Sequence, residues 1–310
     1  MVQVNSAIAL PKDDEKYEIA VRVADKEIST GMAVFNKGSY NRFNFRTTVD
    51  AAEFKAPYVN IDDIGGIFVY LKKKSKLRGV QNICYYRAHA SEFQNEVPED
   101  LTWVQLMPDK SINAVKEPHK AGLVGLKISI RDVTKDGPAD WDSNPVWGKR
   151  MARRPGNKKV RAYIFQCRDL PAADSDGTSD PFLEFIDSDS PQRTVVVDDN
   201  LNPIYYHALD LMYEANTLEE LPPFIIDCYD EDRTLVGKND ADFLARATIY
   251  YRDALEKGAI TEEDTVPRPA WFPLRYSAKG PVSGEVLISF AIVDDDFSFQ
   301  KTLEYVRLDK

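Results

Sequence analysis

The sequence predicts an all-β chain built from two antiparallel β-sandwiches in tandem, and three observations carry that expectation. Segments in both halves alternate inward and outward residues with a period of two, the mark of half-buried strands. Helical periodicity is weak, with Asp253–Lys257 suited only to a turn or a short helix inside a loop. The halves also share an ending. Trp103-Val-Gln-Leu106 precedes Leu123-Val-Gly-Leu-Lys-Ile-Ser-Ile, and Trp271-Phe-Pro-Leu274 precedes Glu285-Val-Leu-Ile-Ser-Phe-Ala-Ile. A shared ending points to duplication, although a similarity this short also arises by chance. At roughly 100–200 residues per domain, 310 residues make about two domains.

Taken in order, the first half offers strands at Tyr17–Val23, Arg42–Thr48, Ile67–Leu71, Ile83–Tyr86 and Leu126–Ile130. Gly137-Pro138, Asn144-Pro145 and Pro155-Gly156 then punctuate a stretch that also carries Lys149, Arg150, Arg153 and Arg154. Such punctuation marks a segment that few contacts cross, so 137–157 reads as a basic linker between 1–136 and 158–296. Residues 297–310 are left as a C-terminal extension. In the second half Val160, Ala162 and Ile164 alternate with Arg161, Tyr163 and Phe165. Phe224, Ile226 and Cys228 alternate with Ile225, Asp227 and Tyr229, and Val286, Ile288, Phe290 and Ile292 repeat the pattern.

Charge divides along the same line. Residues 1–157 hold 24 basic and 20 acidic residues, a net +4, and residues 158–310 hold 16 and 30, a net −14, within a total of −10. That balance argues against a nucleic-acid partner. Cys84, Cys167 and Cys228 are odd in number and widely spaced, which suits a reducing compartment better than a disulfide framework or a zinc site. No apolar run reaches the roughly 18–20 residues of a membrane span, and the start lacks the pattern of a signal peptide. Enzyme readings are weak, so the expectation is a non-enzyme. Ser283 in Gly-Pro-Val-Ser-Gly is no nucleophile elbow, and His89, His119 and His207 have no recognisable nucleophile in sequence. Cys228 alternates with core positions and reads as buried filler.

The informative chemistry lies in two aspartate-rich loops, each at the end of an expected strand. The first spans Asp169-Leu-Pro-Ala-Ala-Asp174-Ser-Asp-Gly-Thr-Ser-Asp180, and the second holds Asp230, Asp232, Asp240 and Asp242. An acidic surface loop is commonly no more than a solvated turn. Two of them at strand ends of one domain leave many carboxylates with no local counter-charge, which calls for a cation. Ca²⁺ fits, being hard, rich in oxygen ligands and tolerant of irregular loops. With no His or Cys in the set, zinc does not. An EF-hand fails on spacing: with Asp174 as the first position, Gly177 falls at the fourth and Phe185 at the twelfth.

These residues resemble a C2 domain over 158–296. Asp169-Leu-Pro-Ala-Ala-Asp-Ser-Asp-Gly-Thr-Ser-Asp-Pro-Phe looks like a first calcium loop, and Cys228-Tyr-Asp-Glu-Asp with Asp242-Phe-Leu-Ala looks like a third. Thr194-Val-Val-Val-Asp-Asp-Asn-Leu-Asn-Pro resembles the strand and turn between them. Within the C2 proteins the chain is most similar to the ferlins, large proteins of vesicle fusion and membrane repair. Gln192-x-Thr-Val-Val-Val, Leu221-Pro-Pro and Ala270-Trp-Phe-Pro-Leu carry that likeness. The resemblance implies eight-stranded antiparallel sandwiches with the calcium loops at one end. It also implies Asp174, Asp180, Asp230, Asp232 and Asp242, or Asp240 in place of the last, as Ca²⁺ ligands. The third loop is longer than the family pattern and Ala245 replaces its closing glycine, which leaves the fifth ligand open.

The resemblance further implies calcium-dependent docking to anionic phospholipid by a cytoplasmic protein peripheral at membranes. In the third loop Leu235 and Val236 would dip into the interface while Arg233 and Lys238 meet headgroups, or the two apolar residues pack the loop itself. The first half reads as a degenerate C2-like sandwich. Where acids would follow Ile67-Phe-Val-Tyr-Leu it carries Lys72, Lys73, Lys74 and Lys76, a run for acidic lipid or a protein partner, or a solvated hairpin. Two functions follow: a calcium-regulated phospholipid-binding module in vesicle trafficking or fusion, or a non-catalytic scaffold for protein partners with calcium structural or vestigial.

Overall fold

A computed structural model describes residues 2–11, 15–35, 41–47, 61–75, 77–93, 101–130, 157–186, 192–215, 217–233, 239–258 and 268–294. The chain divides into two compact units, Met1–Arg153 and Arg154–Lys310. Residues 137–156 of the expected linker at 137–157, and the extension at 297–310, lie outside the described residues, while Asn157 opens a strand of the second unit.

In the first unit, one sheet holds β1 (Val2–Ile8), β5 (Asn41–Thr47), β8 (Thr102–Gln105) and β10 (Leu123–Ile128) in the order β5-β1-β10-β8. The other holds β2 (Glu15–Val23), β3 (Lys26–Ser29), β6 (Gly66–Ser75), β7 (Gly79–His89) and β9 (Met107–Pro108) in the order β3-β2-β6-β7-β9, and β4 (Ala33–Phe35) also pairs β2. Val4, Val124 and Leu126 from the first sheet and Tyr17, Ile19, Val69 and Leu71 from the second meet in a single core. Among the described residues, short β4 and β9 bring this unit to ten strands rather than eight. Sequence reading passed over β1. Its seven residues are all buried, and a bulge between Val4 and Ser6 breaks the alternation that would have announced it.

The second unit runs β11 (Asn157–Arg168), β12 (Pro181–Phe185), β13 (Gln192–Arg193), β14 (Ile204–Glu214), β15 (Phe224–Arg233), β16 (Asn239–Ile249), helix α1 (Tyr251–Gly258), β17 (Ala270–Arg275) and β18 (Val282–Asp294). Its strand path β13-β12-β15-β16-β17-β18-β11-β14 is joined in the middle by a single pair, Arg246 with Arg275. The path therefore folds into two four-stranded halves. Phe224 of one half meets Phe290 of the other at 5.3 Å between ring centroids, and the Tyr205 hydroxyl donates to the Pro181 carbonyl across the same gap at 3.0 Å. Cys167 and Cys228 lie in this core as free, buried thiols, each pushed up by burial.

The two units share one topology. Taking β1, β2, β3, β5, β6, β7, β8 and β10 in chain order as counterparts of β11 to β18, the order β3-β2-β6-β7 repeats β13-β12-β15-β16, and β5-β1-β10-β8 repeats β14-β11-β18-β17. The Trp-x-x-Leu ending is packed differently in the two units, with Trp271 paired to Leu287 and stacked on Arg168 in the second. Trp103 on β8 packs against Gly125 on β10, where an added Cβ would lie 3.0 Å from the indole. All-β sandwiches of this order, two in tandem, answer the fold read from the sequence.

Candidate metal centre

The loops of interest leave the ends of β11, β13 and β15. The first, 169–180, is held closed by its own polar groups. Ser179 is fully buried: its hydroxyl donates to the Pro171 carbonyl at 3.0 Å and accepts the Ala173 N–H at 2.9 Å. At its tip Asp176 accepts both the N–H and the hydroxyl of Thr178, at 3.0 and 2.8 Å, and these bonds lower its pKa. Asp176 is thus engaged within the turn. The loop base rests on Gly284, whose φ of +102° disfavours a side chain and where an added Cβ would lie 3.1 Å from the Arg168 and Asp169 carbonyls.

The segment 195–203 is laced to that loop. Asp199 N–H donates to the Asp180 carboxylate at 2.8 Å, Asn200 N–H to the Ser179 carbonyl at 2.9 Å, and Asp169 N–H to the Asn202 side chain at 3.0 Å. On the other side, Asp180 N–H donates to the Asp230 carboxylate at 2.5 Å and Glu231 N–H to the Asp180 carbonyl at 3.1 Å. Backbone and side chain of Asp180 therefore brace three segments at once.

Against this frame Asp174, Asp230 and Asp232 converge, each offering an oxygen within 4.8 Å of the other two. Asp230 is 2 % exposed, and Asp174 and Asp232 are half-buried. Among the described residues none of the three has a cationic partner. Desolvation and the crowding of carboxylates shift the pKa values of Asp174 and Asp230 upward. Asp174 is raised above its ordinary pKa by desolvation and then by Asp176, Asp180, Asp232 and Asp199. Asp230 is raised by burial, opposed by the bond from Asp180 N–H, and raised further by Asp174, Asp232 and Asp180.

A carboxyl raised in the folded state binds its proton more tightly there than in the unfolded chain. Its penalty on stability is present above the raised pKa and fades as pH falls towards the ordinary carboxylate value of about 3.9. Calcium-free protein carrying Asp230→Asn should therefore outlast the parent most at neutral pH. Thermal melts taken at successively lower pH should show that margin shrinking, and a margin independent of pH would disprove the repulsion.

Of the six sequence-read acids, the structure brings together Asp174, Asp230 and Asp232. Asp180 borders them as the brace. Asp242 sits exposed on β16 as the register partner of Asp230, and the Asp240 side chain falls outside the described residues, opposite Asp232 in register. Asp199 was missed as an electrostatic neighbour, although the acid pair Asp198-Asp199 ahead of the Asn-Pro turn was its signal. Leu235, Val236, Lys238 and the side chain of Arg233 also fall outside the described residues, as does Lys76. Lys72 is hydrogen-bonded to Glu27 and Lys73 to Glu15 at 2.7 Å, while Lys74 is exposed. Lys73 follows the core residues Ile67, Val69 and Leu71 of β6 as Asp230 follows Phe224, Ile226 and Cys228 of β15. The first unit therefore holds an ammonium at the register position where the second holds a carboxylate.

Residues 158–274 match the C2 domain family. Mouse Fer-1-like protein 4 is 34% identical over 187 residues, covering 56% of this chain and 9% of that protein. Mouse myoferlin is 29% identical over 140 residues, covering 43% and 6%. Among solved structures, the calcium-bound pair of C2 domains from extended synaptotagmin 2 aligns over 94% of this chain and 96% of its own, at 12% identity and a TM-score of 0.33. A single C2 domain of plant extended synaptotagmin 1 aligns over 47% of this chain and 99% of its own, at 17% identity and a TM-score of 0.33.

The second unit is accordingly a C2 domain, defined by its sandwich and by the acidic site between its loops. Part of the chain is similar to the ferlins, and the chain spans less than a tenth of the length of the curated ferlins it matches.

Proposed function

We propose that the second unit docks on anionic phospholipid when Ca²⁺ is bound, as a non-catalytic module acting at a cytoplasmic membrane face in trafficking or fusion. The observation that carries the reading is the convergence of Asp174, Asp230 and Asp232 within 4.8 Å and without a cationic partner among the described residues. The donors are all carboxylate oxygens, which fits a hard divalent cation and not a soft one. Asp174, Asp230 and Asp232 would hold the ion, with Asp180 close by. Bound Ca²⁺ would supply positive charge and open coordination positions for lipid phosphate oxygens.

The residues supply the switch. Without a cation, the acidic apex of a half that carries −14 repels an anionic surface. With the charge neutralised locally, that repulsion is removed at the place where contact occurs. Among the described residues no helix is long and apolar enough to cross a membrane.

Calorimetry on the whole chain with Ca²⁺, followed by co-sedimentation with phosphatidylserine-containing vesicles, tests the reading. Saturable calcium binding and calcium-dependent sedimentation are expected. Vesicle binding that ignores calcium would instead favour the scaffold reading, in which the acidic site is structural or vestigial.

A further inference from the structure

The outer face of the first unit's larger sheet carries a group of residues that the calcium site does not use. In register across β2, β6 and β7 stand Arg22, Phe68 and Arg87, and one row along stand Ala20, Tyr70 and Tyr85, followed by Met107 on β9. The Arg22 guanidinium lies 4.7 Å from the Phe68 ring centroid and 5.5 Å from that of Tyr70, and Arg87 lies 5.6 Å from Phe68 on the other side. Phe68 and Tyr70 are stacked at 5.8 Å with planes 4° apart. Gly66 makes room for this arrangement, since a Cβ there would come within 3.1 Å of Phe68 and 3.2 Å of the Arg87 Nε.

The charges on this face are unevenly matched. Lys72 is bonded to Glu27, the register partner of Arg22. Among the described residues Arg22 and Arg87 have no carboxylate partner. A guanidinium stacked on an aromatic ring keeps its in-plane N–H donors free for a carboxylate and is already fixed in orientation, so little is lost on pairing. On the corresponding face of the second unit, Arg246 is spent on buried Asp227, at 2.6 and 2.8 Å. The position of Asp227 on β15 corresponds to Tyr70 on β6, so in the first unit an aromatic residue stands where the second carries the neutralising acid.

We propose that this face is a calcium-independent docking surface for an acidic protein segment, one that carries carboxylates on either side of an apolar residue. Arg22 and Arg87 flank β6 at roughly 10 Å, two strand spacings apart. They would take the carboxylates while Phe68, Tyr70 and the 48 %-exposed Met107 receive the apolar side chain. A membrane is the poorer fit. Glu18 and Glu27 interrupt the cationic surface, and Phe68 and Tyr70 are half-buried between neighbours rather than projecting.

The test uses the whole chain in a calcium chelator and a fluorescent peptide repeating Glu-Leu-Glu-Tyr, with its Gln counterpart as control. Fluorescence anisotropy should show salt-sensitive binding of the acidic peptide and none of the neutral one. Together R22Q and R87Q should weaken it by about tenfold or more, the equivalent of one charge-assisted pair, while K110Q on an exposed turn leaves it unchanged. R87Q alone, at an exposed position, gives the same direction if the double variant melts early. Unchanged affinity in the arginine variants, or no binding of the acidic peptide, overturns the proposal. So does calcium-free binding of phosphatidylserine vesicles that depends on Arg22 and Arg87 when the peptide does not bind.

Discussion

Replacing Asp230 by Asn is expected to abolish calcium-dependent sedimentation with anionic vesicles while making the calcium-free protein more stable. The two effects have one cause. Asp230 is the most buried member of the triad and faces two other carboxylates with no cation to offset them among the described residues. Asparagine keeps an oxygen to accept the Asp180 N–H, so the brace between the first loop and β15 survives. Calcium affinity should fall by about two orders of magnitude, since ligand charge tunes such sites over a wide range. The calcium-free melt should rise by roughly 2–4 °C for about 1 kcal/mol of relieved repulsion in a unit of this size. A merely structural aspartate would give the opposite sign on stability. Differential scanning calorimetry with and without calcium reads both effects in one experiment, and a lower melting temperature in the calcium-free variant would rule out the repulsive site.

A larger loss is expected from Arg246→Met. Asp227 is wholly buried on β15, where it takes two hydrogen bonds from Arg246 on β16 and a third from the Tyr229 hydroxyl at 3.2 Å. Removing the guanidinium leaves a buried carboxylate with no cationic partner, an error that costs about 3–5 kcal/mol. At roughly 2–4 °C per kcal/mol, the second unit should melt about 6–20 °C earlier. Converting both partners, Asp227→Leu with Arg246→Met, should recover most of the loss, because a buried pair exchanged for apolar packing is often near neutral. Thermal unfolding of the single and double variants settles whether the pair matters through its attraction or only through the harm of breaking it. If the single variant melts with the parent, the account of a desolvated pair is wrong.

Sequence and structure agree where the pattern was local. The strands at Val160, Phe224 and Val286 stood out because one face of each meets the core, and period two follows from that alone. Strand β1 did not stand out, since the bulge between Val4 and Ser6 shifts its phase and the residues on both its faces are buried. The acids were legible as a set because so many carboxylates at two strand ends require an explanation. Their division of labour was not. That Asp180 spends its backbone and side chain on three segments depends on hydrogen bonds between residues as far as 50 positions apart. The lysine run likewise read as free charge, yet Lys73 is bonded to Glu15, which lies 58 positions away. Pairings set by strand register lie beyond any window of sequence.

The lacing of 169–180, 195–203 and β15 through Asp180 has a consequence for speed and for how the site would be seen in solution. The ordering entropy of these segments is spent during folding, so an arriving ion meets fixed positions and little conformational work remains. Loading should then proceed close to the rate of diffusional encounter and leave the near-ultraviolet dichroism of the buried aromatic residues almost untouched. A response of that kind registers as a change of surface potential with hardly any change of shape.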